Sequence, residues 1–571
     1  MITIGINAVY HDSAAALVKD GDVIAAAEEE RFTHVKHGKR PLPFSTWELP
    51  FHAVDYCLKQ AGATMADVDH VGYSFRPDLL PGSAGGDAGF SLPVRPGALD
   101  AANGASPWDP LFLCHLANAR DQLVDGPPHH LQSRLRRAPR FAWQFVGHHL
   151  AHEASAFLAS PFDDCAVLTM DGRGENTSTS YGVYTQGRYR SLGHVDLPHS
   201  LGLLYEDVTE FLGFLRSSDE YKVMALASYG KPRFLDEFRD IVSSEGGGRY
   251  SIGQLRLAER FGEPRRRGAA LTERDYDLAH SLQKVLEETA LDLVRWLHEA
   301  SGMENLAMAG GVALNCVMNA RIRDDGPFEN VWAQPAAGDA GTALGAALWV
   351  DHVERGRPPR HWQMRHAYLG PAFDDDEIER FLIWSKTPYR RLTDVAAETA
   401  DMLADGKIIG WFQGRMEFGP RALGARSILA SPLGGDMQAR LNDIKDREDF
   451  RPVAPVVLEE EAGEWFEGAG VAPYMLFVFP VKEDKASRIP AVRHVDGTAR
   501  VQTINREQHA LYYDLLRAFK QRTGVPVLIN TSFNTRGEPI VCTPRDAVES
   551  YYTSPLDALV IGSFVLTKGA G

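Results

Sequence analysis

Three histidines stand close together in the sequence GHHLAHE, residues 147–153. His148 and His152 are four positions apart, so on a helix both imidazoles project from one face. That arrangement suits two ligands of one transition-metal ion. Glutamate does not follow the first histidine, which makes the HExxH pattern of zinc proteases a poor match. A histidine pair alone is more often structural, and the glycine-rich acidic turn that follows is what favours a metal site.

An acidic side chain is expected to complete such a site. Asp339 lies in AAGDAGT, residues 336–342, where small neighbours let a metal ion or a phosphate approach the backbone. Asp171, in the turn DGRG of residues 171–174, is a second candidate. The alternative for each aspartate is a helix cap or a turn, and for Asp171 this is nearly as well supported. The predicted metal ligands are His148, His152 and Asp339.

Paired glycines mark a predicted junction between a strand and a helix. The sequence GGVALN, residues 310–315, follows the apolar run 306–309 and precedes a helical pattern. Glycines at such a junction let backbone N–H groups face a nucleotide, and the start of the next helix favours phosphate charge. Paired glycines usually form a tight structural turn, but two acidic turns accompany these. The residues predicted to bind a nucleotide are Asp171, Gly172, Gly310, Gly311, Val312 and Asn315.

A different chemistry is indicated near the carboxyl end of the chain, where cationic side chains gather beside turns. They are Lys445, Arg447, Arg451 and Arg500. Arginine forks and a lysine point charge suit a phosphate dianion. Asn530 and Ser532 follow the apolar strand pattern 525–529, and their side chains can orient an amide-like group. Charged loop residues are commonly only solvated, and this is our interpretation of Arg447.

The elements that must position these residues begin with a repeated pattern. Residues 2–7 are predicted to form a buried strand, which leads through the polar turn His11-Asp12-Ser13 to a hairpin with its turn at Asp20-Gly21. Residues 166–170 form a second strand pattern, and the acidic turn at 171–175 leads to another hairpin. Two such copies favour an internal duplication over coincidence, because both turns are polar and acid-bearing.

A long amphipathic helix is predicted later in the same half of the chain. Thr272 opens it with a capping pattern, its apolar positions keep to one face, and Gly302 ends it. The strand at 306–309 follows, which is the order expected of an α/β domain. The string EEERF, residues 28–32, has no evident chemistry, and we interpret it as a solvated helix end or an internal ion pair.

The length of the chain requires more than one domain. Its 571 residues are too many for one ordinary hydrophobic core. The basic, proline-rich stretch 355–360 is the predicted linker, and the second domain begins its strong strand signals at residues 408–412. We therefore expect two α/β domains, residues 1–355 and residues 366–571.

Composition and charge exclude several classes of protein. The formal net charge is −16, whereas nucleic acids and anionic membranes bind basic surfaces. The five cysteines form no CxxC pair and are typical of reduced thiols; they are Cys57, Cys114, Cys165, Cys316 and Cys542. No secretory signal is visible, nor any apolar stretch of about 18 residues. These observations predict a cytoplasmic enzyme without a nucleic-acid or membrane partner.

The motifs together resemble those of a known enzyme family. The first domain resembles the nucleotide-binding fold of actin, sugar kinases and heat-shock chaperones, and within it the tRNA threonylcarbamoyl transferases. That branch carries an HxxxH metal pair, a GGVAxN adenosine loop and a late aspartate ligand, which match His148 and His152, residues 310–315, and Asp339. The whole chain resembles the antibiotic and nodulation O-carbamoyltransferases, in which this domain is fused to a YrdC-like domain. The strings that carry the likeness are EYKVMAL at 220–226, GPRALG at 419–424 and NTSFN at 530–534.

This resemblance implies a reaction in two stages. Carbamoyl phosphate and ATP would give carbamoyl-adenylate in the second domain, where the family pattern assigns Lys445, Arg451, Arg500 and Asn530 to the carbamoyl phosphate. A divalent metal, Fe(II) by the same resemblance, would then assist transfer to a hydroxyl of a small molecule. His11 is a candidate general base, and a structural hydrogen bond accounts for it about as well.

The acceptor and the rival functions stay open at this point. The likeness is greatest to enzymes that act on aminoglycosides such as tobramycin, and cephems or nodulation factors are alternative acceptors. A sugar or acetate-type kinase would not need His148 and His152. The charge of −16 disfavours a tRNA threonylcarbamoyl-type enzyme, and a chaperone-like binding module would lack the cationic cluster. The sequence leaves the oligomeric state undecided, and a homo-oligomer is compatible with it.

Overall fold

The computed structural model describes residues 1–38, 49–79, 141–535 and 537–568. The chain forms two compact units, Met1–Met364 and Arg365–Gly571. Both are mixed α/β, so the predicted fold class is confirmed. Four of the cysteines are buried and free of disulfide bonds, as expected of reduced thiols, and Cys114 lies outside the described residues.

The first half of the first unit is a five-stranded mixed sheet. Its strands are β1 (Ile2–Asn7), β2 (Ala14–Lys19), β3 (Asp22–Glu28), β4 (His70–Tyr73) and β5 (Ala142–Phe145). They are ordered β3-β2-β1-β4-β5, and β1 is antiparallel to β2 and parallel to β4. Asp20 and Gly21 form the predicted hairpin turn with φ values of 52° and 93°. Positive φ at both central residues is what a tight hairpin turn requires.

The second half repeats this arrangement. Its strands are β6 (Cys165–Met170), β7 (Thr177–Thr185), β8 (Arg188–Asp196), β9 (Val242–Gly246), β10 (Arg249–Ile252), β11 (Asn305–Ala309) and β12 (Asn330–Ala333). The sheet order is β12-β11-β6-β7-β8, and β9 and β10 form a separate hairpin. Strand β6 is antiparallel to β7 and parallel to β11. The predicted duplication is therefore confirmed.

Helices connect and cover these sheets. They are α1 (Glu30–Thr33), α2 (Phe51–Gln60), α3 (His148–Phe157), α4 (Leu201–Phe211), α5 (Glu220–Leu226), α6 (Leu235–Ile241), α7 (Leu257–Phe261), α8 (Glu273–Ser301), α9 (Cys316–Asp325) and α10 (Ala340–Glu354). The predicted long helix is α8, whose start is capped by reciprocal bonds between Thr272 and Asp275. Gly302 ends it in the left-handed conformation, with φ of 65°.

Helix α10 packs closely against two other elements because glycines remove the side chains between them. A Cβ on Gly5 of β1 would clash with the backbone oxygen of Ala343, and a Cβ on Gly345 would clash with that of Ala151 in α3. Only glycine at these positions lets α10 lie against β1 and α3 together. Asp339 directly precedes α10, and this packing brings it to the histidines of α3.

The second unit is built on an eight-stranded mixed sheet. Its strands are β13 (Arg390–Arg391), β14 (Ile409–Phe412), β15 (Arg426–Ala430), β16 (Ala454–Leu458), β17 (Val478–Pro480), β18 (Thr498–Arg500), β19 (Gln502–Ile504), β20 (Val527–Ser532), β21 (Ala558–Ile561) and β22 (Phe564–Thr567). The sheet order is β13-β22-β21-β14-β15-β20-β16-β19, and β17 pairs with β18. The helices are α11 (Asp375–Trp384), α12 (Val395–Ala404), α13 (Met437–Ile444), α14 (Ala462–Trp465), α15 (Glu483–Ala486), α16 (Ala510–Thr523) and α17 (Pro544–Tyr552).

Burial along β20 changes where the strand meets the site. Residues 527–530 are buried, whereas Thr531 and Ser532 are only partly covered. The apolar part of the strand therefore anchors it in the core, and its polar end is only partly covered. Within the described parts of both units, no helix is both long enough and apolar enough to span a bilayer.

Candidate metal centre and cationic pocket

The predicted histidine pair lies at the start of α3, and both side chains are fully buried. The Nε2 atoms of His148 and His152 are 3.2 Å apart. Both imidazoles direct Nε2 toward the same point in the interior. This is the shared helix face that a spacing of four residues predicts. The Nδ1 atoms of both have no hydrogen-bond partner among the described residues. The pair is therefore held by the helix and by packing rather than by a hydrogen bond to Nδ1.

Two aspartates from distant parts of the chain complete the cluster. Asp171 follows β6, and its Oδ2 lies 3.6 Å from Nε2 of His148 and 3.9 Å from that of His152. Asp339 places Oδ1 3.6 Å from both nitrogens. The structure thus unites the three predicted ligands with Asp171, the second acidic candidate, in one buried group of four.

The dimensions of this cluster fit a bound metal ion. Ligands about 2.0–2.1 Å from a tetrahedral metal are about 3.3–3.4 Å from one another, close to the separations observed. Burial alone would lower the pKa of His148, but the Asp339 and Asp171 carboxylates raise it well above its usual value. Two nitrogens and two carboxylate oxygens suit a divalent first-row transition metal, and this donor set is compatible with several of them.

The backbone of the predicted glycine junction is hydrogen-bonded to Asp171. The backbone N–H of Gly311 donates to Oδ1 of Asp171 over 2.7 Å, while Oδ2 faces the histidines. Gly310 has φ of 90°, and a Cβ there would clash with the backbone oxygen of Met170. Val312 lies in the short 3-10 turn Gly311–Leu314. Asp171 therefore links the predicted nucleotide loop to the candidate metal-binding cluster.

Asn315 has structural partners that the sequence analysis did not anticipate. Its Oδ1 accepts a hydrogen bond from the backbone N–H of Met318 and so caps α9. Its Nδ2 donates to Oε1 of Gln283 in α8 over 2.8 Å. Both ends of the amide are thus occupied within the fold, which favours a structural role beside the predicted nucleotide-binding one.

Gly172 is enclosed by α4. The Oγ of Ser200 donates to its carbonyl oxygen over 2.7 Å, and a Cβ on Gly172 would lie 3.2 Å from Oε1 of Glu206. The absence of a side chain keeps the space between this turn and Glu206 open.

The turn that carries His11 is tied to the cluster. The backbone N–H of His11 donates to Oδ2 of Asp339 over 3.0 Å. Burial alone would lower the pKa of His11, but Asp12 and then Asp339 raise it to about 9. His11 therefore lies beside the metal-binding cluster, in a field dominated by carboxylates.

The EEERF string forms the internal ion pair that was one of its two interpretations. Arg31 is 3% exposed, and its guanidinium lies 3.1 Å from Oε1 of Glu28 and 2.7 Å from Oε1 of Glu30. The carboxylate of Glu29 accepts from the backbone N–H of Ala53 and from the imidazole of His52. These contacts fix α1 to the start of α2.

In the second unit, Lys445 lies at the end of α13 and reaches the polar end of β20. Its Nζ donates to the backbone oxygen of Ser532 over 2.5 Å and to Oδ1 of Asn534 over 2.7 Å. Burial, and then the charges of Arg447 and Arg451, hold the pKa of Lys445 well below its usual value. The acceptors around this ammonium are neutral, so the positive charge is not compensated by a carboxylate among them.

The structure relates the other predicted cations of this unit to Lys445 to different degrees, and no described contact joins Arg500 to it. Arg451 is near enough to Lys445 to lower its pKa, and it also lies 3.7 Å from Glu448. Arg447, interpreted from the sequence as only solvated, is instead partly buried and donates to Oδ1 of Asn442 over 2.6 Å. Arg500 is the last residue of β18. The pKa of His494 is lowered mainly by burial, and the charge of Arg500 lowers it further.

Asn530 presents an unsatisfied oxygen. Its Nδ2 donates to Oε1 of Gln502 over 2.7 Å and to the backbone oxygen of Ala422 over 3.2 Å. Its Oδ1 is buried and has no partner among the described residues. A buried acceptor without a donor is costly, so this oxygen is suited to a ligand that supplies an N–H.

Sequence reasoning missed several residues of both sites. Asn534 holds Lys445, although the NTSFN string contained it. Glu417 accepts from the backbone N–H groups of Leu423 and Ala425 and so shapes the GPRALG string. Asp12 and His37 contact each other beside His11. A carboxylate inside the already suspected turn 11–13 was the available signal for Asp12, whereas nothing local marked His37.

Known proteins resemble this chain over most of its length. A family model described as carbamoyltransferase N-terminus matches residues 2–78 and 122–348, and one described as carbamoyltransferase C-terminus matches residues 400–568. An uncharacterised protein from Synechocystis sp. is 41% identical, covering 99% of this chain and 97% of its own length. Nodulation protein NolNO from Sinorhizobium fredii is 39% identical, covering 98% of this chain and 80% of its own.

Solved structures are more distant. The activator of 2-hydroxyisocaproyl-CoA dehydratase from Clostridium difficile, with bound ADPNP, is 10% identical at a TM-score of 0.31 and covers 62% of this chain and 96% of its own. That likeness is too weak to bear on this fold, which follows from its own strand order. The two family models together cover most of both units, and the chain belongs to the carbamoyltransferase family.

Proposed function

We propose that this chain is an ATP-dependent O-carbamoyltransferase that moves the carbamoyl group of carbamoyl phosphate, through carbamoyl-adenylate, to a hydroxyl of a small molecule. Family membership supports the carbamoyl transfer. The adenylate intermediate is supported by the two contacts of Asp171. One carboxylate oxygen accepts from the Gly311 N–H, and the other faces the histidine pair. A nucleotide phosphate bound at the glycine junction would therefore lie beside a metal-binding cluster.

The first stage is assigned to the second unit, within residues 366–571. The cationic groups Lys445, Arg451 and Arg500 would bind the phosphate of carbamoyl phosphate, since this charge needs an anion to balance it. Asn530 would accept the carbamoyl N–H at its unpartnered Oδ1, and Ser532 would orient the group. For the atoms to balance, water must release phosphate, and the carbamate oxygen then attacks the α-phosphorus of ATP and expels pyrophosphate.

The second stage is assigned to the first unit, within residues 1–355. A divalent metal held by His148, His152, Asp171 and Asp339 would polarise the oxygens of the adenylate phosphate and offset the charge of the two aspartates. Gly310, Gly311 and Val312 would border the adenylate, because glycines without side chains let the backbone lie close to it, and Gly172 would leave room opposite. His11 would take the proton of the acceptor hydroxyl as its oxygen attacks the carbamoyl carbon, which requires a neutral imidazole. The positive charge of the bound metal would lower the pKa of His11 that the carboxylates raise.

The acceptor is proposed to be an aminoglycoside such as tobramycin. The carboxylates that raise the pKa of His11, namely Asp12, Asp339 and Glu206, create a negative field that favours a cationic, amine-bearing polyol. A nodulation factor is the second candidate, because relatives of this chain carry the name nodulation protein. Fe(II) is the proposed metal on the resemblance to the family, since the donor set alone fits several ions.

The test combines two products. The full-length protein, loaded with Fe(II), is incubated with carbamoyl phosphate, ATP and a panel of acceptors that contains tobramycin, a cephem and a nodulation factor. Pyrophosphate release and the mass gain of one carbamoyl group on the acceptor are measured. We expect both, and we expect neither when ATP or carbamoyl phosphate is left out.

Two outcomes would overturn the proposal. Transfer that continues without ATP would exclude the adenylate. Pyrophosphate release without carbamoylation of any panel member, together with modification of added tRNA, would favour a threonylcarbamoyl-type enzyme instead.

A further inference from the structure

A chain of three hydrogen-bonded side chains lies beside the metal-binding cluster in the first unit. Oδ2 of Asp12 is 3.0 Å from Nδ1 of His11, and Oδ1 of Asp12 is 2.8 Å from Nδ1 of His37. The centroids of the two imidazole rings are 3.9 Å apart. One carboxylate therefore bridges two histidines, and in each it meets the same ring nitrogen.

The backbone around this carboxylate is strained at several residues. Tyr10, Asp12, His37 and Ser217 have φ values of 55°, 45°, 66° and 56°, in the left-handed region. Each such residue other than glycine costs about 1–3 kcal/mol and persists only where its surroundings enforce it. They come from three separate segments and meet at one place, since Oγ of Ser218 lies 3.3 Å from Nε2 of His37. Strain collected at one point is a mark of a functional arrangement.

Specific hydrogen bonds enforce this strained geometry. The Nδ2 of Asn7, fully buried, donates to the carbonyl oxygens of His11 and Asp12 over 2.7 and 3.0 Å. Oε2 of Glu30 accepts from the backbone N–H of His37 over 2.7 Å, and Arg31 pairs with the other oxygen of Glu30. The EEERF string, which had no chemical role, thus supports the segment that carries His37.

We propose that Asp12 and His37 are positioning residues for His11 in the transfer step. This inference rests on the proposed function, in which His11 takes the proton of the acceptor hydroxyl. A hydrogen bond from Nδ1–H of His11 to Asp12 fixes the ring and its tautomer, so that Nε2 is the basic nitrogen. The hydrogen bond from His37 to the other oxygen holds the Asp12 carboxylate in the plane where it meets His11.

The step balances as a group transfer. The O–H proton of the acceptor passes to Nε2 of His11 while the oxygen forms a bond to the carbamoyl carbon. The bond from that carbon to the phosphate oxygen of the adenylate breaks, and AMP leaves with the electron pair. Asp12 and His37 touch none of the reacting atoms, so their contribution is the orientation of the base.

The experiment compares Asp12→Asn, His37→Ala and His37→Asn in the full-length protein loaded with Fe(II). The acceptor is the member of the proposed panel that the wild-type enzyme carbamoylates fastest. Asparagine at position 12 keeps the shape and tolerates the positive φ but removes the charge. We expect Asp12→Asn to lower kcat about 100-fold with KM for the acceptor unchanged, because a disoriented base loses most of its contribution.

His37 offers a test by rescue. An asparagine Nδ2 can occupy the place of the histidine Nδ1, so His37→Asn keeps the donor to Asp12 and also tolerates the left-handed backbone. We expect His37→Ala to lower kcat and His37→Asn to restore it to within about threefold of the wild type. A residue that only stabilises the fold would show no such split between kcat and KM and no such recovery.

The matched control is a pair of the same chemistry on the surface of the first unit. His194 and Asp196 lie 3.6 Å apart on β8, and both are well exposed. Asp196→Asn should leave kcat unchanged. Metal content and pyrophosphate release should equal those of the wild type in every variant, since neither depends on the orientation of His11.

The outcomes separate this inference from the proposed function. If the wild type carbamoylates an acceptor and Asp12→Asn keeps its kcat, the inference is wrong and the proposed function stands. If Asp12→Asn or His37→Ala loses one equivalent of bound metal, the three residues are ligands of a second ion and the positioning role is wrong. If the wild type carbamoylates no member of the panel, the proposed function fails, and the inference fails with it.

Discussion

The two candidate sites contain buried charge of opposite sign, and they balance it differently. In the first unit, the carboxylates of Asp171 and Asp339 face the imidazoles of two histidines and raise the pKa of His148, so a proton on His148 offsets part of their charge when no metal is bound. In the second unit, the acceptors of Lys445 among the described residues are neutral, and Lys445 lies near two arginines. The first arrangement suits a cation and the second suits an anion. The second therefore depends more on its ligand for electrostatic balance.

The largest loss of activity is expected from replacement of either histidine of the pair in the first site. His148→Ala or His152→Ala removes a nitrogen ligand, because the other three ligands cannot replace it from their fixed positions. We expect bound metal to fall from about one equivalent to near zero and carbamoyl transfer to be lost. Metal content is measured by mass spectrometry of the intact, desalted protein after loading.

His149 provides the matched control for this prediction. It lies on the same helix and is equally a buried histidine, but its Nδ1 contacts Oγ of Ser180 rather than the cluster. His149→Gln should keep its metal. Pyrophosphate release should survive in all three variants, because the second unit has its own site. Full metal occupancy in the His148 and His152 double variant would rule out the assignment.

A smaller effect is expected in the cationic pocket. Removal of one cation facing a phosphate should cost roughly 1.5–3 kcal/mol of binding, which is about a 10- to 150-fold rise in the KM for carbamoyl phosphate. Arg500→Ala and Arg451→Ala should both show it, with metal content unchanged. The KM is measured by pyrophosphate release at saturating ATP.

Arg493 serves as the control in the same unit, since it is paired with the exposed Glu483 over 2.7 Å. Arg493→Ala should leave the KM for carbamoyl phosphate unaltered. An unchanged KM in Arg500→Ala and in Arg451→Ala would mean that these charges do not contact the substrate. The conclusion that the second site binds an anion would then be wrong.

The smallest effect is expected for Asn315, at the edge of the first site, and it is a change in the free energy of unfolding. Asn315→Ala removes the cap of α9 and the contact with Gln283, so the free energy of unfolding should fall by about 0.5–2 kcal/mol. Asn315→Ser keeps a capping oxygen and should lose less. Urea denaturation measures both.

The same two variants define how far the nucleotide site extends. If Asn315 acts only within the fold, AMP should bind both variants as it binds the wild type, as measured by calorimetry. If both variants lose affinity for AMP, Asn315 belongs to the nucleotide site as well.

Local sequence patterns were sufficient for the parts of the structure that depend on near neighbours. The duplicated strand and hairpin, the helix from Thr272 to Gly302 and the direction of the two imidazoles of α3 all follow from periods of two or 3.6 residues and from turn residues. These patterns reflect contacts within a few positions of the chain, which is why the sequence shows them directly.

Only the tertiary structure decided which distant residues meet. The sequence left Asp171 uncertain as a ligand. In the structure, α10 packs against β1 and α3 through Gly5 and Gly345, and this packing places Asp339 beside Asp171 and the two histidines. His11 contacts Asp339 across 328 positions of the chain, and Lys445 contacts Ser532 across 87. The sequence by itself determined which residue types are available as metal ligands, and it predicted the helix on which His148 and His152 lie. The meeting of His11, Asp12 and His37 was decided by the fold, because a strained turn is held in place by side chains that no local pattern identifies.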